Sequence, residues 1–178
     1  MSLLADVTAL LRRGRAPFAV IGAAAMAVHG VSRATRDLDL LTLAPTCLEP
    51  EFWQELISIG VEVSIRRGDA DDPLAGVVRF ARPGVAPVDV VIGKHAWQEQ
   101  IAASSTESVI DGVTVPVARP VDLVLLKLYA GGPQDAWDIA QLLDLPDGHA
   151  LIEEVERRLP DLPPECGPLW ARIRAAEP

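Results

Sequence analysis

A chain of 178 residues with 49% hydrophobic content has enough apolar material for one buried core, and its 4% aromatic share points to small aliphatic side chains packed between helices and a sheet. A net charge of −9 and a pI near 4.7 argue against broad binding to polyanions, which needs a basic surface to displace counterions. Cys47 and Cys166 lie far apart and fit no metal or redox spacing, so a reducing cytoplasm is the expected setting; no signal peptide and no bilayer-spanning run is read.

In chain order, residues 2–13 carry Leu3, Leu4, Val7, Leu10 and Leu11 at helical spacing and stop at Gly14. Arg12, Arg13 and Arg15 then suit the helix C-terminus, where the dipole favours cations. From Phe18 to Thr42 the pattern is a short β-branched run, Gly22, a small-residue helical turn closed by Gly30, a polar loop and a second apolar strand that opens on Asp37-Leu38-Asp39. Side chains alternate along a strand, so the two carboxylates share a face. Like charges that close raise one another's pKa unless a cation lies between them, which points to hard oxygen ligands for Mg²⁺ or Mn²⁺. The plainer alternative is two acids facing water at a strand start.

Leu48 to Ile59 reads as a helix with Phe52, Leu56 and Ile59 on one face. Val61, Val63 and Ile65 alternate with Glu62, Ser64 and Arg66 as a half-buried strand. Asp69, Asp71 and Asp72 lack the far ligand and central glycine of a calcium hand and read as a solvated turn. Strands follow at Val77–Phe80 and Pro87–Ile92, the second holding Asp89 among valines. A carboxylate there is costly unless coordinated or paired, so Asp89 is either a third metal ligand or a strand aspartate bonded to backbone or an arginine. Residues 94–103 read as a helix, and Val109–Val115 as a hairpin turning at Asp111-Gly112. Pro120 opens a helix running to Ala130, in which Lys127 is a lone ammonium that must reach water or meet anions. A second helix, Gln134 to Leu143, carries Asp135 and Asp138 on one face, either as functional acids or as exposed first-turn acids. Leu151–Leu159 reads as one more helix, followed by a proline-rich tail that Trp170 docks; His29 and His95 read as structural.

Gly22-Ala23 after a strand, then Gly30, Arg33, Thr35 and Asp37-Leu38-Asp39, resemble the first motif of the nucleotidyltransferase superfamily, the fold shared with DNA polymerase β. Within it, VIGAAAMAVHGVSRATRDLDLL most resembles the AbiEii-type toxins, a likeness running over residues 18–145. The resemblance implies an α+β (α/β) nucleotidyltransferase fold, a short mixed sheet flanked by helices, with residues 1–145 as the transferase domain and 146–178 as a C-terminal helical appendage. It also implies transfer of an NMP from an NTP to an acceptor hydroxyl on RNA or protein, with Mg²⁺ or Mn²⁺ on Asp37, Asp39 and Asp89. Gly22, Ala23, Arg33, Thr35, Lys127 and Asp138 would meet the nucleotide, and Lys127 and Asp135 would join the catalytic set. An antitoxin partner is implied by the toxin likeness, no membrane contact is expected, and a homo-oligomer stays open. One position departs from the pattern: Ala23 stands where many members carry a serine that touches the triphosphate. That departure leaves phosphate to backbone N–H groups and keeps open a catalytically silent nucleotide-binding or interaction protein of the same fold.

Overall fold

In the computed structural model, which describes residues 2–32 and 37–175, Ser2 accepts the N–H of Ala5 at 3.2 Å and so starts α1 (Leu3–Arg13). The apolar stripe of α1 is buried, and the basic residues after it are used locally: Arg12 donates to the Thr114 carbonyl and Arg13 pairs with Glu55, each at 2.6 Å. β1 (Phe18–Ile21) runs into α2 (Gly22–Val28), and β2 (Leu38–Thr42) returns antiparallel beside β1.

The span expected as one helix from Leu48 to Ile59 is instead two 3-10 turns, Pro45–Leu48 and Pro50–Trp53, followed by the short α3 (Gln54–Ser58). Pro50 cannot donate the bond that would continue a helix from Leu48, and it restarts the chain as a first-turn proline. The fully buried Trp53 then donates its indole N–H to the Cys47 carbonyl at 2.7 Å and sets its ring edge-on to Phe80 at 4.6 Å.

β3 (Glu62–Arg67), β4 (Gly76–Ala81) and β5 (Val88–Ile92) add the next strands, joined in part by the expected acidic turn. In that turn Asp69 Oδ1 accepts the N–H groups of Asp71 and Asp72, and Asp72 Oδ2 that of Asp69. The helix expected over 94–103 is a 3-10 turn followed by α4 (Glu99–Ser104); the hairpin is β6 (Thr106–Ile110) and β7 (Val113–Val117). Asp111 and Gly112 turn it with φ of 49° and 76°, the positive angles of a two-residue turn. α5 (Pro120–Ala130) and α6 (Pro133–Leu143) follow as expected, and α7 (Gly148–Arg158) begins three residues before the expected start. The proline-rich tail is in fact a ten-residue helix, α8 (Cys166–Ala175), whose Trp170 is buried as expected.

The sheet has seven strands in the order β3-β4-β5-β2-β1-β7-β6 and is mixed, with β2–β5 and β1–β7 parallel and the other pairs antiparallel. Its central face of Leu38, Leu40, Val78, Phe80, Val88 and Val90 is wholly buried. α7 and α8 do not build a core of their own. Leu151, Val155, Trp170 and Ile173 belong to the same hydrophobic cluster as Leu3 and Val20. Among the described residues no helix is long and apolar enough to cross a membrane.

Candidate active site

β2 and β5 run parallel in a register that sets Asp39 directly beside Asp89. The next strand outward places Arg79 opposite Asp89, and the next inward places Ile21 opposite Asp39. Cross-strand partners share a face. The sheet therefore presents Arg79, Asp89, Asp39 and Ile21 in one row, on the face away from the buried valines. Asp37 stands two residues before Asp39, at the mouth of β2.

Arg79 ties the acids together. One guanidinium nitrogen lies 2.7 Å from Asp89 Oδ2 and 3.8 Å from Asp37 Oδ2. The other Asp89 oxygen, Oδ1, is buried and has no hydrogen-bond partner among the described residues. Burial pushes the Asp89 carboxyl above its usual range, Arg79 pulls it back, and Asp37 adds a further upward push.

Gly22 closes the row from the other side. Its φ is +66°, and a Cβ there would lie 2.4 Å from Asp39 Oδ2, so both the backbone angle and the carboxylate exclude a side chain. Ala23, the departure from the family pattern, is buried at 6% exposure and offers nothing polar beyond its backbone.

Beyond the acids the same face turns apolar. Ile21, Leu41 and Val91 floor a pocket of about 230 Å³ that Gly22, Lys127 and Asp135 also border, with Pro73, Leu74 and Tyr129 among its walls. Lys127, only 8% exposed, pairs with Asp138 and, at 3.3 Å, with Asp135. Asp138 is fully buried and also accepts from the Gln134 amide at 3.2 Å, while Asp135 accepts the Gly132 N–H at 3.0 Å as a helix cap. The lone ammonium of α5 has thus met anions, and both acids of α6 are spent on it. His29 and His95 are occupied locally: His29 Nε2 lies 2.8 Å from the Ala118 carbonyl, and His95 Nε2 lies 2.6 Å from the Tyr129 hydroxyl.

The residues singled out in the sequence therefore fall in two groups, Asp37, Asp39, Asp89 and Gly22 at the acid row and Lys127, Asp135 and Asp138 across the pocket; Arg33 and Thr35 lie outside the described residues. Arg79 was missed. Its signal is a single cation inside the strand Val77–Phe80, the arginine that the second reading of Asp89 required, although which strand neighbours which is not written in the pattern.

The donor chemistry fits a hard divalent cation. Asp39 and Asp89 are adjacent carboxylates on one face, and Asp89 Oδ1 is a buried acceptor with nothing to accept. Among the described residues no three acids, histidines or cysteines gather closely enough to hold an ion, and the Arg79 guanidinium spans Asp37 and Asp89 instead.

No family model and no curated protein matches the chain. Solved structures do. The antibiotic-resistance factor ANT(2'')-Ia in solution superposes with a TM-score of 0.55 at 17% identity, over 88% of this chain and 91% of its own. The lincosamide antibiotic adenylyltransferase LnuA, bound to lincomycin, gives 0.51 at 15% over 80% and 95%. A candidate nucleotidyltransferase from Thermotoga maritima gives 0.54 at 15% over 80% and 91%. At these identities the likeness establishes the nucleotidyltransferase fold.

Proposed function

We propose that the protein is a metal-dependent nucleotidyltransferase that moves an NMP from an NTP to an acceptor hydroxyl. The observation that carries this reading is the register pair Asp39–Asp89, with its unpartnered carboxylate oxygen, on the face of a nucleotidyltransferase-type sheet. Asp37, Asp39 and Asp89 would hold Mg²⁺ or Mn²⁺, which when bound supplies charge stabilisation at the reacting phosphate.

The chain's own groups divide the remaining work. Gly22 brings backbone against the acid row and, with Ala23, offers phosphate only N–H donors. Lys127 borders the pocket already paired with Asp135 and Asp138, so a departing pyrophosphate would have to compete with those two carboxylates for it; the buried Asp138 would act on nucleotide through the lysine. Asp89, whose carboxyl burial pushes above its usual range while Arg79 pulls it back, would help to activate the acceptor hydroxyl. The apolar pocket beside the acids suits a flat ring, and the resemblance of residues 18–145 to the AbiEii-type toxins, carried by VIGAAAMAVHGVSRATRDLDLL, favours RNA or protein as acceptor and an antitoxin as partner. The fold neighbours named as an antibiotic-resistance factor and an antibiotic adenylyltransferase make a small-molecule acceptor the control. Ala23 supports a second reading, a nucleotide binder without transfer, because no side chain is there to grip the triphosphate.

Thermal unfolding with each NTP, with and without Mg²⁺, tests binding, and label from an α-labelled NTP tests transfer. A metal-dependent rise in melting temperature for one NTP together with labelled acceptor is expected. Stabilisation with no label on RNA, protein or antibiotic would leave the silent binder, and no stabilisation at millimolar Mg²⁺ would remove both readings.

A further inference from the structure

The feature that the transferase reading does not use is Arg79. A guanidinium nitrogen 2.7 Å from one carboxylate and 3.8 Å from a second fills the space that an ion bridging those oxygens needs, because Mg²⁺ demands contacts near 2.1 Å from each ligand. A guanidinium and a divalent ion cannot share that space. Arg66 on β3 adds a second positive field at Asp89. The Arg79 side chain is 47% exposed and Asp37 38% exposed, so the bridge is open to water on its outer side. Asp89, at 15%, is the anchored partner.

We propose that Arg79 is an internal counterion that holds the acid row together in the metal-free protein, is displaced when the divalent cation enters, and then pairs with substrate phosphate. The proposal rests on the transferase reading, whose cation site it adopts and whose substrate phosphate its last step uses. Displacement follows from charge and volume. Once the cation neutralises the carboxylates the guanidinium loses its partners, and the anion brought to the same face is the phosphate of the nucleotide. Arg79 is thus a positioning residue whose removal acts in opposite directions on the two ligands. A merely structural arginine would weaken both.

The experiment is calorimetric titration of the full chain with Mn²⁺ alone, then thermal shift with Mn²⁺ and NTP, on wild type, Arg79→Met and Arg79→Lys. Arg79→Met is expected to bind Mn²⁺ about two- to fivefold more tightly, the range that an ion pair this exposed supplies, and to require more NTP for the same stabilisation. Arg79→Lys, which keeps the charge but not the planar fork, is expected to fall between. Should Arg79→Met fail to fold, Arg79→Lys decides in the same direction. Mn²⁺ affinity unchanged or weakened in the folded variants overturns the proposal and leaves the transferase reading standing. No Mn²⁺ binding to wild type or variants overturns both.

Discussion

Two of the aspartate–arginine contacts among the described residues differ in how many carboxylate oxygens are satisfied. At the α5–α7 contact, Asp122 is fully buried: Oδ1 takes Arg158, and Oδ2 takes Arg119 at 3.3 Å and the Ser104 hydroxyl at 3.2 Å. On the sheet, Asp89 has one oxygen on a half-exposed Arg79 and the other on nothing among the described residues. A saturated, enclosed carboxylate is a joint that fixes three elements together. An unsaturated one at the rim of a pocket has capacity left for a ligand. Counting the partners of the carboxylate separates the packing role of Asp122 from the chemistry proposed for Asp89, even though Arg158, the partner of Asp122, leaves its own Nε and Nη2 without a partner among the described residues.

The largest separation between the two clusters should come from isosteric neutralisation. Asp39→Asn, in the open row, is expected to lower transfer by at least about a hundredfold, because it removes an anionic ligand for the cation. Its melting temperature in EDTA should be no lower than that of wild type, since one of three neighbouring negative charges is gone. Asp122→Asn should do the reverse. It leaves the Arg158 charge buried without its anion, a loss of about 3 kcal/mol, or roughly 10 °C in melting temperature for a chain of this length, with activity per folded molecule unchanged. Circular dichroism melts and label transfer on both variants would break the comparison if the two effects coincided.

Gly22→Ala sharpens the same contrast at one residue. A left-handed angle of +66° costs an alanine about 1 to 2 kcal/mol, and its Cβ must push Asp39 Oδ2 from 2.4 Å. Stability should fall modestly while activity falls by about a hundredfold, as expected when a reacting group is displaced by an ångström. An activity loss no larger than the loss of folded protein would show that Asp39 needs no fixed position.

Much of this was legible in residue order. The hairpin turn at Asp111-Gly112 and the α5–α6 break at Gly131-Gly132-Pro133 are local signals that formed where local physics puts them, whereas of the D-x-D stretch only Leu38 and Asp39 are in β2 and Asp37 stands one residue ahead of it. Asp37, ahead of the strand, reaches the row through Arg79 at 3.8 Å and not through strand alternation, and Lys127 found anions because a buried ammonium must. What order could not show was adjacency. That β5 lies parallel beside β2, and that β4 brings an arginine to the acids, depend on sheet topology, which no local pattern encodes. Pro50 breaks the helix that the apolar spacing around it suggests, and the tail's prolines hid the α8 helix because Pro163 and Pro164 precede its start and Pro168 sits in its first turn, where no intrahelical N–H bond is lost.

The smallest effect expected concerns a buried thiol that belongs to neither cluster, and it reports on which of them holds the fold. Cys47 is fully buried, and burial pushes its pKa up from 9.0 to about 12. A folded pKa raised above the unfolded one favours the protonated form in the fold. The thiol's contribution to stability is therefore constant below pH 9 and is lost as pH rises from there toward 12. Urea unfolding across that range should show a decline in wild type that is shallower in Cys47→Ala, the other alkaline groups being common to both. At pH 8 the same burial means that an aromatic disulfide reagent reaches Cys47 only through opening of the fold, so its rate follows global stability. Asp122→Asn should then speed labelling on the order of a hundredfold, the factor that 3 kcal/mol implies, and Asp39→Asn should not speed it at all. Equal acceleration by both substitutions would mean that the acid row is also a joint of the fold, and the distinction drawn from partner counts would fail.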